Sequence, residues 1–177
     1  MSRYVKKIIG ERLYLSPMSV DDAETYTAWI NDVEVAGYLG NMYTNMIGLP
    51  GEREYLENAG KRGHDYSIVL ADGDKLIGNI SLMNVDHRNR KATLGVFIGD
   101  AEYRSRGYGA EAIRLLVDYG FKWLNLYNIG LGVFANNERA IACYKKIGFR
   151  EYGRRTKTNY YNGEYVDGVY MEILNDE

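Results

Sequence analysis

The sequence predicts a single α/β domain over residues 1–177, with a mixed, mostly antiparallel sheet of about seven strands flanked by four helices. Three observations predict it. Residues 65–99 hold three β-patterned runs separated by the polar reversals Asp72-Gly73-Asp74 and Asp86-His87-Arg88-Asn89-Arg90, an antiparallel meander. The last of these runs feeds a glycine-containing loop and then an amphipathic helix, so the following strand returns parallel to it. Two strands around Asn162-Gly163 close the chain as a hairpin.

Residues 12–16 alternate, with Leu13 and Leu15 on one face and Tyr14 on the other, and form the first strand. Ser19 with Asp22 three residues later signals a helix start, and Ala23, Tyr26 (or Thr27) and Ile30 supply its apolar stripe. Residues 33–51 are rich in Gly, Asn, Met and Tyr and show no period. A loop of that length points to function, and whether it lids an acceptor site stays open. Residues 52–60 read as a short second helix stopped by Gly60. The meander strands are 65–71, 75–85 and 91–99.

In the helix after the loop, Ile113, Leu116, Val117, Phe121 and Leu124 share one face, with Glu111, Arg114, Asp118 and Lys122 opposite. A strand at 129–134 follows. Asn136 or Asn137 caps the next helix, which ends at Gly148 behind Lys145 and Lys146, cations suited to a negative helix end. Residues 149–158 and 165–174 make the hairpin. The order is β-α-α-β-β-β-α-β-α-β-β.

Composition narrows the function classes. A hydrophobic fraction of 46% with 26% charged residues is that of a folded globular chain. A net charge of -2 argues against a nucleic-acid partner held by phosphate neutralisation. The one cysteine, Cys143, excludes an internal disulfide, and with two histidines it argues against a zinc site, so no metal is expected. No run has the length of a membrane span and residues 1–10 lack an apolar signal core, so no membrane partner and a cytoplasmic location are expected. The 17 tyrosines are either pocket lining for an amine or filler at the core boundary.

Arg104-Ser105-Arg106-Gly107-Tyr108-Gly109-Ala110-Glu111-Ala112 lies where strand turns into helix. The first N–H groups of a helix have no partner within it and the dipole favours an anion there. Gly107 and Gly109 carry no Cβ to hold an anion away from the backbone, and two arginines flank them. This is a pyrophosphate seat. Gly107-x-Gly109-x-x-Ala112 formally satisfies the dinucleotide fingerprint, but that pattern wants an acidic residue about 20 positions on, at the end of the next strand. Here the polar stretch 100–106 intervenes and the next strand runs into Ala135-Asn136-Asn137. Arg104, Gly107 and Gly109 also fit Arg/Gln-x-x-Gly-x-Gly/Ala, which resembles the acyl-CoA pyrophosphate loop of the Gcn5-related N-acetyltransferases (GNAT).

A second motif is more specific. The stretch from Asn137 to Phe149, with Ala140, Tyr144 and Gly148 at fixed intervals, is similar without a gap to the family signature Asn-x-x-Ala-x-x-x-Tyr-x-x-x-Gly-Phe. Asn137 and Tyr144 are seven residues apart, so they share a helix face within ~20° and lie ~10 Å apart along the axis. The residues alone leave a plainer reading open, with Asn137 only a cap and Tyr144 only a core aromatic. The resemblance covers about residues 11–174. Arg12-Leu13-Tyr14-Leu15 and Trp29-Ile30-Asn31-Asp32 resemble the branch of the ribosomal-protein N-terminal acetyltransferases. Residues 118–127 and Asn162-Gly163-Glu164-Tyr165 are similar to spermidine acetyltransferases.

The resemblance implies direct acetyl transfer from acetyl-CoA, as cosubstrate, to a primary amine: a peptide N-terminus, a polyamine or another small amine. It also allows a homodimer. It implies that backbone groups of Phe97, Ile98 and Gly99 pair with pantetheine as an added strand. Arg104, Ser105, Arg106, Gly107, Tyr108, Gly109 and Ala110 would hold the pyrophosphate, and Asn137 would touch the pantetheine arm. Tyr144 would give a proton to the departing thiolate, its ordinary pKa of about 10 being near that of a thiol. The general base is missing. Positions where many relatives carry Glu are occupied by Thr93, Leu94 and Gly132. Glu34, Asp86, His87 and Glu111 are the candidates, and the residues do not choose among them. The missing carboxylate weakens a polyamine acceptor, since a dication wants acids in its pocket. The alternatives are a CoA-binding module without turnover and a dinucleotide-binding protein.

Overall fold

The computed structural model describes residues 3–39 and 45–175. The elements in chain order are β1 (Ile8–Ile9), β2 (Leu13–Pro17), α1 (Ala23–Ile30), α2 (Val33–Ala36) and α3 (Leu49–Arg62). Then come β3 (Asp65–Leu70), β4 (Leu76–Asp86), β5 (Lys91–Ile98), α4 (Tyr108–Trp123), β6 (Asn128–Phe134), α5 (Glu138–Ile147), β7 (Arg150–Tyr161) and β8 (Glu164–Leu174). The strands form one sheet in the order β1-β2-β3-β4-β5-β6-β8-β7, antiparallel throughout except for β5 and β6.

Both faces of this sheet are covered. On one, Leu13, Leu15, Ile68, Ile80 and Leu94 pack with Ile113, Leu116 and Val117 of α4, and residues of α5 lie against the same cluster. On the other, Tyr14, Val69, Leu76 and Phe97 pack with Tyr26 of α1 and with Leu56 and Ala59 of α3. Leu13, Tyr14 and Leu15 are therefore all buried, and the alternation read in residues 12–16 sorts two cores, not core from water.

The predicted meander, the amphipathic α4 and the closing hairpin are all present. Other expectations are corrected. β1 is an additional strand that pairs Ile8 with Leu15 and Ile9 with Tyr14; two residues are too few to show a period. Ser19 caps a short 3₁₀ turn by accepting from Asp21 N, and α1 begins only at Ala23. Asp22 does not close a capping box: its carboxylate accepts from Arg3 and from the Tyr4 hydroxyl (2.7 and 2.9 Å). α3 is longer than predicted, with Pro50 in its first turn. It runs through Gly60 and ends at Gly63, whose φ of +85° makes it the left-handed cap. Within the stretch 33–51, α2 and the start of α3 are ordered helix, and residues 40–44 lie outside the described residues.

One topological detail creates the site. β5 and β6 pair in parallel only over Lys91–Asn128, Ala92–Ile129 and Thr93–Gly130. From Leu94 onward β5 stays with β4, and from Leu131 onward β6 stays with β8. The sheet splits into a V.

Candidate active site

The V opens a cavity of about 1070 Å³ that passes from the α4–α5 face of the sheet to the α1–α3 face. Its lining includes both strands of the split, the loop after β5, α5, and residues of α1 and α3. Tyr26, Tyr38, Tyr55, Tyr103, Tyr144 and Tyr170 are among them, so a good part of the tyrosine excess serves this cavity.

At one end the loop is built to present amides. Asp100 caps a 3₁₀ turn, Ser105 turns at φ +61° and Gly107 at φ +83°, and α4 starts at Tyr108. The first helical hydrogen bond is Glu111 N to Gly107 O (3.0 Å), so the N–H groups of Tyr108, Gly109 and Ala110 precede the helical ladder. A Cβ added at Gly109 would meet only Ile98 Cγ1 at 3.7 Å, so the chain itself leaves that space open. Arg12, which sequence reasoning did not single out, braces the loop from behind. Its N–H and Nε donate to the Glu111 carboxylate (both 2.8 Å), Nη1 donates to Arg106 O (3.0 Å), and its guanidinium lies 4.4 Å from the Tyr108 ring centroid.

One expectation about this end changes. Arg104 does not reach for an anion. Its Nε donates to Ile98 O (3.1 Å) and its Nη2 to Gly99 O (2.8 Å), so the fork ties the loop back to the strand that precedes it. Arg106 is exposed, and the Ser105 hydroxyl accepts from Arg139 Nη1 of α5 (3.0 Å), a second cation the sequence reading missed. The strand edge is corrected too. The β4–β5 register turns the main-chain groups of Phe97 toward β4, while Gly99 divides its own: its N–H donates to Ile77 O (2.9 Å) and its carbonyl is the one that Arg104 Nη2 holds. The main-chain groups of Leu94, Val96 and Ile98 face the split. Of the three residues expected to pair with a ligand strand, Ile98 faces the cleft with its carbonyl held by Arg104, Phe97 faces β4, and the Gly99 N–H is taken by Ile77; Val96 is the further residue on the cleft edge. Counting parity back from the β4–β5 register finds this; the β pattern alone does not. Gly99 has another reason to be glycine: a Cβ there would collide with the Trp29 indole.

α5 forms the far wall. Asn137 Oδ1 accepts from Ala140 N (3.2 Å), so Asn137 is the cap, and its amide also borders the cavity. Tyr144 borders it from the middle of α5, its ring edge-on to Phe149 at 5.8 Å between centroids. Burial pushes the Tyr144 hydroxyl up to about 12, with a smaller push from Cys143. It stays protonated and is a weaker acid than a free phenol.

A V-shaped split with a loop of free amides at one end and a buried phenol in its wall directs comparison with known proteins. The acetyltransferase (GNAT) domain profile matches residues 12–150. The chain belongs to the GNAT acetyltransferase family. Its relatives include the uncharacterized N-acetyltransferase YoaA of Bacillus subtilis, 31% identical over 93% of this chain and 94% of that protein. Spermidine N(1)-acetyltransferase of Escherichia coli is 36% identical over 64% of this chain, and the match spans 62% of that enzyme's length. A GNAT-family acetyltransferase from Bacillus anthracis has the same fold, with a TM-score of 0.82, 24% identity and coverage of 96% and 99% of the two chains.

A GNAT domain that acetylates an amine must also take a proton from it, and the four candidates fare differently. Asp86 lies in the β4–β5 reversal, where Asn89 N and Nδ2 donate to its carboxylate and hold it below its ordinary pKa; neither it nor His87 borders the cavity. Burial pushes the Glu111 carboxyl up, but the Arg12 N–H and guanidinium outweigh that and leave it below its ordinary value. Glu34 borders the cavity but is 83% exposed and stands 3.7 Å from Arg104 Nη1. The residue the sequence reading missed is Glu52. It borders the cavity, is 2% exposed, and burial alone raises its carboxyl to about 7. The signal was its register: Glu52, Leu56 and Ala59 lie at i, i+4 and i+7, on the apolar stripe. Among the described residues no group of His, Cys, Asp and Glu is placed to hold a metal. No helix among them is long and apolar enough to cross a membrane.

Proposed function

We propose that this GNAT domain transfers the acetyl group of acetyl-CoA directly to a primary amine. One observation carries the proposal: the β5–β6 split opens one cavity bordered by Gly107, Gly109 and Ala110 at the start of α4, by Tyr144 of α5, and by residues of α1 and α3 on the opposite face of the sheet. A thioester supplied from one side and an amine from the other meet within it. The spermidine and ribosomal N-acetyltransferases among the relatives support an amine as the acceptor. A dinucleotide reading loses its support, because β3, β4 and β5 are an antiparallel meander and β6 runs into Ala135-Asn136-Asn137 with no acid.

Each part of the chain has a separable task. The N–H groups of Tyr108, Gly109 and Ala110 hold a pyrophosphate at the positive end of α4. The main-chain edge of Val96 and Ile98 aligns a pantetheine arm as an added strand. Arg104 supports both by fixing the carbonyls of Ile98 and Gly99, which sets where β5 ends and the loop begins. Acetyl-CoA supplies the acyl group already activated as a thioester. Tyr144 holds a proton for the departing sulfur. With its hydroxyl near 12 and a thiol near 8.5, full transfer in the ground state is uphill by about 5 kcal/mol. The proton therefore moves only as negative charge builds on sulfur.

Calorimetric titration with acetyl-CoA and NAD, followed by thiol release with a panel of peptides, polyamines and aminoglycosides, tests the reading. Acetyl-CoA should bind, NAD should not, and at least one amine should release thiol. Binding without thiol release on any amine leaves a CoA-binding module.

A further inference from the structure

The acceptor end of the cavity is unlike the rest. The alternation that turns Leu94, Val96 and Ile98 toward α4 turns Thr93, Gly95 and Phe97 toward α1 and α3. Their β4 partners Met83, Ser81 and Asn79 follow. Asn79 and Ser81 are buried at 9% and 5% exposure, and both border the cavity. Among the described residues neither side chain has a hydrogen-bond partner, nor does the carboxylate of Glu52. Their polar atoms open onto the cavity and are not sealed from it, so each is available to a ligand that enters there. Tyr26 is not part of it, since its hydroxyl is already bonded to Ser67 Oγ (2.9 Å). The surrounding walls are apolar: Met18, Ile30, Tyr55, Met83 and Phe97.

We infer that Glu52, with Asn79 and Ser81, seats the ammonium group of the acceptor and takes its proton, and that this acceptor is a singly charged α-amine with an apolar neighbour. The inference rests on the acetyl-transfer reading and deepens it. Charge count decides against a polyamine. Among the described residues the acids on the cavity wall are Glu34 and Glu52, and Glu34 is at the exposed rim beside Arg104, so a second ammonium finds no buried partner. The carboxyl raised to about 7 supports the α-amine: it lies about one unit below an α-amino group and more than three below an alkylammonium such as lysine's. The balance is simple. The ammonium gives one proton to Glu52, the freed nitrogen attacks the thioester carbon, and the C–S bond breaks as the C–N bond forms. The second proton from nitrogen offsets the one that Tyr144 passes to sulfur, and Glu52 returns its proton to solvent. Acetyl-CoA and R-NH₃⁺ become the N-acetyl amine, CoA-SH and H⁺.

The test compares the parent with Glu52→Gln and Glu52→Asp. Acetyl-CoA binding is titrated first, then thiol release is followed from pH 5.5 to 9 with dipeptide amides bearing a free α-amine, and with spermidine. In the parent, kcat/KM should climb to a plateau above about pH 7 and favour the α-amines over spermidine. Glu52→Gln should bind acetyl-CoA like the parent, lose about 10²–10⁴-fold in kcat/KM and lose the limb near pH 7. Glu52→Asp should recover part of the rate and the limb. Without any ligand, Glu52→Gln should melt above the parent at pH 8, with the gap closing toward pH 4.5. A carboxyl whose folded pKa is raised costs stability as pH climbs through that range. A Glu52→Gln rate within threefold of the parent with the limb intact, or a lower melting point at pH 8, overturns the role of Glu52 and leaves acetyl transfer standing. A preference for spermidine overturns the acceptor class. If the parent releases thiol with no amine, the acetyl-transfer reading falls, and this inference with it.

Discussion

Gly109→Val separates what the loop does for the ligand from what it does for the fold. Gly109 is the second residue of α4, and a Cβ there meets only Ile98 Cγ1 at ordinary contact distance. The helix itself gains from the change: glycine is the poorest helix former after proline, and valine is better by a few tenths of a kcal/mol. Ligand-free protein should therefore melt within a degree or two of the parent. The bound pyrophosphate is another matter. A β-branched side chain occupies the space through which an anion approaches the amides of residues 108–110, and each charge-assisted hydrogen bond lost there is worth about 1.5–3 kcal/mol. Losing one to two of them gives roughly 3 kcal/mol, or about 10²-fold in affinity. Calorimetric titration with acetyl-CoA reads this directly. S-acetylpantetheine, which has no pyrophosphate, should bind parent and variant alike. An acetyl-CoA affinity within threefold of the parent would refute the assignment of the loop. So would equal losses for both ligands, because the effect would then not be at the phosphates.

The remaining predictions follow from single contacts. Tyr144→Phe keeps the ring against Phe149 and should lower kcat and kcat/KM together by about 10²–10⁴-fold while acetyl-CoA binding changes little; steady-state thiol release within a factor of three of the parent would remove the proton-donor role. Because its hydroxyl titrates only near 12, the pH–rate profile should show no limb from Tyr144 below about pH 10. Gly99→Ala drives a methyl group into the Trp29 indole and should destabilise by about 1–3 kcal/mol, seen as a lower denaturant midpoint at an unchanged slope. Glu111→Gln removes a carboxylate held below its ordinary pKa. Its stabilising effect is present above about pH 4.5 and fades as pH falls through the lower folded value, so the variant should melt below the parent at pH 7 and converge with it in acid.

Much of the site was legible locally, because local rules wrote it. Gly107 and Gly148 stand at positive φ where the helices start and stop, Asn137 caps α5, and the Asp72-Gly73-Asp74 and Asn162-Gly163 reversals fall where turn chemistry puts them. The apolar stripe of α4 marked its buried face, and the interval from Asn137 to Tyr144 set both on one helix. Each of these depends on residues within one or two turns of each other. That is why a single sequence sufficed for the meander, the loop, the second motif and the family they resemble.

What the tertiary structure decided depends on neighbours far along the chain. The separation of β5 from β6 after Thr93 is a competition for partners: β4 holds one strand and β8 the other, and β8 begins thirty residues after β6 ends. Arg104 reads as an anion ligand until the ends of β5 and the loop come close enough for their carbonyls to claim its fork. Glu52 stands in the sequence only as the first residue of the helix read at 52–60, until packing buries it and removes the water that keeps an ordinary carboxyl near 4.5. Residue type and spacing determine which groups are available and how each helix or strand begins and ends. Which of them lose water, and which find a partner, is determined only when distant segments pack, because desolvation and pairing belong to the assembled surface and not to the local chain.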